Sequence, residues 1–297
     1  MRAVFDVGSN SVRLAVADVK NGKLVNQQTY LAFSRLAEGR AADGSLTEPA
    51  MLRTFQAVQS LMPHLGRLPR CSEHLLVTAT AALRQAPNRR FLMDRLEELC
   101  GVPVRLLSPQ EEAYYGFTGA LAGSDTAAAE ALVLDIGGGS TELSYFYKDR
   151  WSSKSFPYGC LVLKDHPDRL GHFRADLRES LSASILKEKR LIGIGGTLTT
   201  LAAILLGLDT YDPEAIHKSR INRSDWLSFM QSYAAMTPSE RARIPGLAAE
   251  RRDTILPGLL ILDVICSSFQ LEGYTASVTD GLDGLLLSNL YAGSEQR

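Results

Sequence analysis

The chain has 297 residues, 45% hydrophobic and 22% charged, so it can form one large globular domain or two ordinary ones with buried cores. A formal net charge of −1 excludes a chain-wide basic field of the kind that holds nucleic acid, though not a local basic channel. The four cysteines, Cys71, Cys100, Cys160 and Cys266, show neither CxxC nor zinc spacing, so reduced, buried thiols in a cytoplasmic protein are expected.

The opening "MRAVFDVGSN" has no basic-then-apolar leader. Its apolar stretch reads as a strand that reaches Asp6, turns through Gly8, Ser9 and Asn10, and leaves as a second strand. "VKNGKL" (19–24) then offers Asn21-Gly22, a type I′ hairpin signal, followed by a strand over 24–33. Residues 47–65 have helical spacing, "HLLVTATAAL" (74–83) starts as a buried strand, 88–100 is an amphipathic helix and 102–107 a short strand. In "SPQEEAYYGF" (108–117), Ser108 reads as an N-cap, Pro109 as the first helical residue and Glu111 as the closing residue of a capping box. Glu112 is left without a structural task. A carboxylate there suits a general base acting on water; an ordinary helix-start glutamate is the alternative.

After a small, polar linker candidate at 121–130 the first pattern returns. "VFDVGSNSVRLA" (4–15) and "VLDIGGGSTELS" (133–144) align Asp6 with Asp135, Gly8 with Gly137, Ser11 with Ser140 and Leu14 with Leu143. Lys148, Asp149 and Arg150 turn into a strand over 151–156, so the chain holds two copies of one β-hairpin-β unit. A helix over 173–188, a strand over 190–194 and mainly helices to about 270 follow. The apolar runs 198–208 and 255–265 are too short to span a bilayer and read as buried helices, so no membrane association is expected. Alternating strands and helices make the class α/β, with two domains of similar kind, residues 1–125 and 126–297.

The glycine turns decide the chemistry expected. Glycine lets backbone approach a ligand closely and present N–H groups to anions. One such turn is equally well a plain tight hairpin. A third glycine motif, "LIGIGGTLTTLAAILLG" (191–207), ends a strand in Gly195-Gly196-Thr197 and opens a helix with Thr197 as its natural N-cap, a ready anion site. No dinucleotide G-x-G-x-x-G opens a helix, and no Walker-type loop is present. Asp6, Asp135 and Glu142 sit at the glycine turns. Carboxylates beside phosphate repel it unless a cation such as magnesium intervenes.

"FDVGSNSVRL", "TATAALRQAPN", "SPQEEA", "VLDIGGGSTELS", "GIGGTLTTLAA" and "LPGLLIL" together resemble the exopolyphosphatase and guanosine pentaphosphate phosphohydrolase family, in the expected order and over nearly the whole chain. The resemblance implies the fold of the actin-like ATPase and sugar kinase superfamily: two ribonuclease-H-like domains around a central cleft. The last helix, after Gly284, is expected to pack back on the first domain. It implies hydrolysis of a terminal phosphoryl group of inorganic polyphosphate or guanosine pentaphosphate, aided by Mg²⁺ or Mn²⁺. Glu112 would be the general base, with Asp135 and Glu142 on the metal side; Asp6 is expected beside them from its own place at a glycine turn. Phosphate contacts are implied for Gly8, Ser9, Asn10, Ser11 and Arg13, for Arg84, for Gly137, Gly138, Gly139 and Ser140, and for Gly195, Gly196 and Thr197.

Two positions depart from the family pattern. Ala81 stands where a serine is usual, and Gly281-Leu282-Asp283-Gly284 lacks an expected arginine; both put phosphate contacts in doubt. Longer members carry a C-terminal histidine-aspartate domain, so a short, two-domain form is expected here. The five histidines form no metal-spaced cluster. Preferred substrate, chain length, nucleotide hydrolysis and homodimer formation stay open. Two other readings compete: a phosphotransferase or ATPase, since the Gly-Gly-Thr turn also resembles an adenosine-binding one, and a non-catalytic polyphosphate or alarmone sensor. Acids in the site argue against the sensor, because a pure binder of polyanions gains nothing from them.

Overall fold

The computed structural model describes residues 1–186 and 188–291. Two compact units are present: Met1–Tyr115 with the segment that begins at Gly281, and Gly116–Asp280.

The first unit is built on β1 (Arg2–Val7), β2 (Ser11–Lys20), β3 (Lys23–Phe33), β4 (Leu75–Ala79) and β5 (Val104–Leu106), in the sheet order β3-β2-β1-β4-β5. The first three strands are antiparallel, and β4 and β5 add in parallel. Asn21 and Gly22 both have positive φ (51° and 71°), as a type I′ turn requires, and so close the β2–β3 hairpin. Parallel strands need crossovers. The helices Glu48–Leu61 and Arg89–Cys100 supply them and cover one face, where Phe5, Leu14 and Val77 pack with Val58, Leu61, Leu92 and Leu96. On the other face Val4, Ala15 and Leu76 meet Leu282, Leu285 and Leu286 of the helix Gly281–Leu287. Covered on both faces, β4 is buried at every position, which is why "LLVTA" shows no alternation.

The second unit holds β6 (Ala131–Ile136), β7 (Thr141–Tyr147), β8 (Arg150–Phe156), β9 (Arg190–Ile194), β10 (Arg220–Asn222) and β11 (Gly273–Ala276), in the order β10-β11-β9-β6-β7-β8. Read from β8, the order repeats that of the first unit: an antiparallel β8-β7-β6, then β9 and β11 in parallel, with β10 added as an antiparallel edge. Its hairpin turn places Lys148 and Asp149 at φ 49° and 57°, the same geometry without a glycine. The helices Gly195–Leu205 and Ile255–Phe269 bury Leu198, Leu201, Leu259 and Leu262 against Leu132, Leu134 and Ile136. The repeat seen in the sequence is therefore a repeat of topology, and each unit has the ribonuclease-H-like arrangement.

The structure differs from the sequence reading in one helix and one strand. The helix expected over 173–188 is two, Arg169–Ser180 and Ala183–Leu186, separated where Leu181 turns extended. The three-residue β10 interrupts the region read as mainly helical; it is too short to display alternation. The outgoing strand of the second glycine turn starts at Thr141, leaving Ser140 as the last turn residue. No helix among the described residues is long and apolar enough to cross a membrane.

Candidate active site

Each glycine turn joins the first two strands of its unit, and the two are closed by the same bond. The Gly8 N–H donates to the Ser11 carbonyl at 3.0 Å, and the Gly137 N–H to the Ser140 carbonyl at 2.9 Å. A Cβ at Gly8 would lie 3.1 Å from the Ser11 oxygen, and one at Gly137 would lie 3.2 Å from the Ser140 oxygen. Glycine is favoured at both positions by this close approach rather than by a left-handed φ.

Neighbouring backbone then orients the turns. The Gly137 and Gly138 carbonyls accept from Cys160 (2.9 Å) and Leu161 (3.0 Å) at the start of the helix Cys160–Asp165. In a planar trans peptide the N–H points opposite to the C=O. The Gly138 and Gly139 amides therefore face away from that helix, as a pair of donors suited to an anion. In the first turn the Ser9 carbonyl accepts from Ala37 at 2.9 Å, which orients the Asn10 amide in the same manner.

The strand ladders set the acids. Asp6 lies directly opposite Arg13 in the β1–β2 pair, and Asp135 directly opposite Glu142 in the β6–β7 pair. Residues so placed share a face, with Cβ atoms about 4.5–5.5 Å apart. The two copies thus differ in charge at one equivalent position. Arg13 donates to Asp6 at 2.8 Å, so an expected metal-side acid and an expected phosphate ligand are joined to each other. In the second unit two carboxylates face each other. Glu142 is buried, with the Ser155 hydroxyl donating to it at 2.7 Å. Asp135 lies against Gly195, where a Cβ would meet its Oδ1 at 2.3 Å and φ is +77°. Like charges directly across a ladder repel, and a donor set made of oxygen alone suits a hard cation. Asp135 and Glu142 fit Mg²⁺ or Mn²⁺ on these grounds.

The third glycine motif corrects one reading. The helix begins at Gly195 with Ile194 in the capping position, so Thr197 is its third residue and not its N-cap. The Thr197 hydroxyl donates to the Ile136 carbonyl at 3.1 Å and tethers the helix to β6. The backbone amides of Gly195, Gly196 and Thr197, which open the helix, are the donors there suited to an anion. Sequence reasoning missed Arg251, whose guanidinium sits where a Gly196 Cβ would be, 2.0 Å from that position. "AAERRDT" carries no glycine and no periodic signal, and only the fold brings its arginine to the loop. Burial pushes the neighbouring Cys160 thiol up to about 11, against the pull of the Arg251 charge, so it is a neutral core group.

Back in the first unit, the capping box is present. The Ser108 N–H donates to Glu111 at 2.8 Å and the Glu111 N–H to the Ser108 hydroxyl at 3.1 Å. Arg105 adds an ion pair to Glu111 at 2.6 Å. Burial works against ionisation of Glu111, but the hydrogen bonds from Arg105 and Ser108 outweigh it and hold the carboxyl below its ordinary range. Glu112 instead accepts from Arg84 at 3.1 Å, and Arg84 also donates to the Leu107 carbonyl at 2.6 Å. Both contacts use Nη1, one end of a fork with five N–H donors. The two residues set apart from sequence as base and phosphate ligand are thus brought together. At the positions that depart from the family pattern, Ala81 and Asp283 are both buried.

The model of the Ppx/GppA phosphatase family matches residues 15–291. The chain belongs to this family. As a family member it is an enzyme, a phosphohydrolase. It is 29% identical to a Mycobacterium tuberculosis protein named exopolyphosphatase 2, over 96% of this chain and 97% of that one. Its fold is similar to that of an exopolyphosphatase-like protein (TM-score 0.84, 24% identity, 96% and 97% of the two chains covered). It is also similar to that of an exopolyphosphatase from Cytophaga hutchinsonii (TM-score 0.80, 23% identity, 97% of each covered).

Proposed function

We propose that this family member is an exopolyphosphatase that hydrolyses terminal phosphoryl groups of inorganic polyphosphate, with Mg²⁺ or Mn²⁺ and with Glu112 as general base, in the cytoplasm. The observation that carries this reading is the division of labour between adjacent glutamates. Glu111 is held in a capping box, whereas Glu112 is turned out of it and held beside Arg84. The relatives named exopolyphosphatase support polyphosphate over guanosine pentaphosphate as substrate.

In the reaction, the Glu112 carboxylate takes a proton from water as the water oxygen attacks the terminal phosphorus. The bridging P–O bond breaks, the shortened chain leaves with the electron pair, and orthophosphate is released. In the first unit the amides of its glycine turn and the Arg84 fork suit phosphoryl oxygens where charge develops, and the turns of the second unit offer amides of the same kind. A cation bound at Asp135 and Glu142 would neutralise phosphate charge and stabilise the leaving oxygen.

The test is phosphate release from long polyphosphate, guanosine pentaphosphate and ATP side by side, with and without Mg²⁺. Release from polyphosphate only with the metal, and without any acceptor, is expected. Polyphosphate binding with no release would instead favour the sensor reading.

Arg84 has two tasks in this scheme, holding phosphate and placing Glu112. Hydrogen bonds to charged groups contribute about 1.5–3 kcal/mol, so Arg84→Ala should lower kcat/KM about 10- to 100-fold. It should also raise KM and flatten the salt dependence of binding. Unchanged kinetics would reduce Arg84 to its bond with the Leu107 carbonyl.

A further inference from the structure

Cys71, Glu73 and His74 bring one sulfur, one carboxylate oxygen and one ring nitrogen within 4.8 Å of one another. None of them belongs to the glycine turns or to the acids discussed above. They lie on a turn in which the Cys71 carbonyl accepts from both the His74 N–H (2.9 Å) and the Leu75 N–H (2.8 Å). The turn runs directly into the fully buried β4. The His74 carbonyl in turn accepts from Ala3 at 2.7 Å at the start of β1. Backbone on both sides therefore holds the three donors, which are not carried on a free loop. The His74 ring is oriented as well, with Nδ1 3.2 Å from the Met1 carbonyl. A backbone carbonyl on one ring nitrogen is the usual way in which a metal-ligating histidine is aimed.

We propose that Cys71, Glu73 and His74 form a binding site for a borderline-soft divalent cation of the zinc class. A mixed sulfur, nitrogen and oxygen set selects such an ion over magnesium, which takes oxygen ligands. Three protein ligands leave one tetrahedral position for water or an added ligand. The spacing C-x-E-H matches no zinc-finger pattern. The site arises because one tight turn folds three donors onto each other and the N-terminal residue steadies the ring. It also stands apart from the proposed catalysis. The five residues of β4, at about 3.3 Å each, separate it by roughly 16 Å from the strand end that leads to Thr80 and Arg84.

Cys71 gives a direct readout, because the other three cysteines, Cys100, Cys160 and Cys266, are buried. The native protein should be labelled with a thiol reagent in excess Mg²⁺, with and without one equivalent of Zn²⁺, and the labelled residue mapped by mass spectrometry. Zinc should slow Cys71 labelling about ten-fold or more, and His74→Gln should weaken the protection by at least about ten-fold. Phosphate release with Mg²⁺ should be the same in wild type and His74→Gln. Equal labelling with and without zinc in the wild type, a measurement that needs no variant to fold, would overturn the site. So would full protection in His74→Gln, since the thiol would then hold the ion without the imidazole.

Discussion

Glu112→Gln should fold normally, bind polyphosphate and release orthophosphate about 10²- to 10⁴-fold more slowly, the usual contribution of a general base. The adjacent Glu111→Gln should stay largely active, because glutamine can still close the capping box with Ser108. Its cost falls on stability. With the box still closed, what is lost is the charge, and the part-exposed pair with Arg105 contributes about 0–1 kcal/mol. The stability loss should depend on pH with a definite sign. The folded-state pKa of Glu111 is lowered from 4.5, so its contribution is present above that value and fades as pH falls through the folded-state pKa. Turnover and melting temperature for both variants, the latter at two pH values, decide the matter. If Glu111→Gln is the dead enzyme, base and cap are reversed. If both remain active, the base lies elsewhere.

Excess chelator should abolish phosphate release, and Asp135→Asn should lower activity about 10- to 100-fold or more while raising the Mg²⁺ concentration needed for half-maximal rate. The reason is the ladder register, which sets Asp135 against Glu142 with Ser155 behind it. Asp6→Asn supplies the contrast. Asp6 is joined to Arg13 at 2.8 Å, so its loss should leave the metal dependence in place. A shift in Mg²⁺ requirement equal to that of Asp135→Asn would give Asp6 the metal-side role expected from its place at the first glycine turn. Undiminished turnover in chelator would remove the metal from the mechanism.

Several features were legible in the chain itself because their physics is local. Asn21-Gly22 meets the φ demands of a hairpin turn, Ser108 with Glu111 closes a box three residues wide, and the Asp-Gly-Ser echo repeats because each unit uses the same turn. Even the separate fates of Glu111 and Glu112 follow from the 100° step of a helix. Partnerships across strands and between distant segments were not legible. The aligned copies carry Arg13 and Glu142 at one equivalent position, but only the ladder register, the same in both units, sets these side chains opposite Asp6 and Asp135. Thr197 looks like a cap because its type and position suit one. The contact of its hydroxyl with the Ile136 carbonyl depends on how the helix docks on β6. Arg251 reaches Gly196 only after the chain has folded back through intervening helices. The sequence by itself determined the elements, the repeated unit and the chemical types at the turns, since these depend on neighbours a few residues away. Which charges meet was decided by the tertiary structure, because Coulomb and hydrogen-bond partners are set by distance in space and not by separation along the chain.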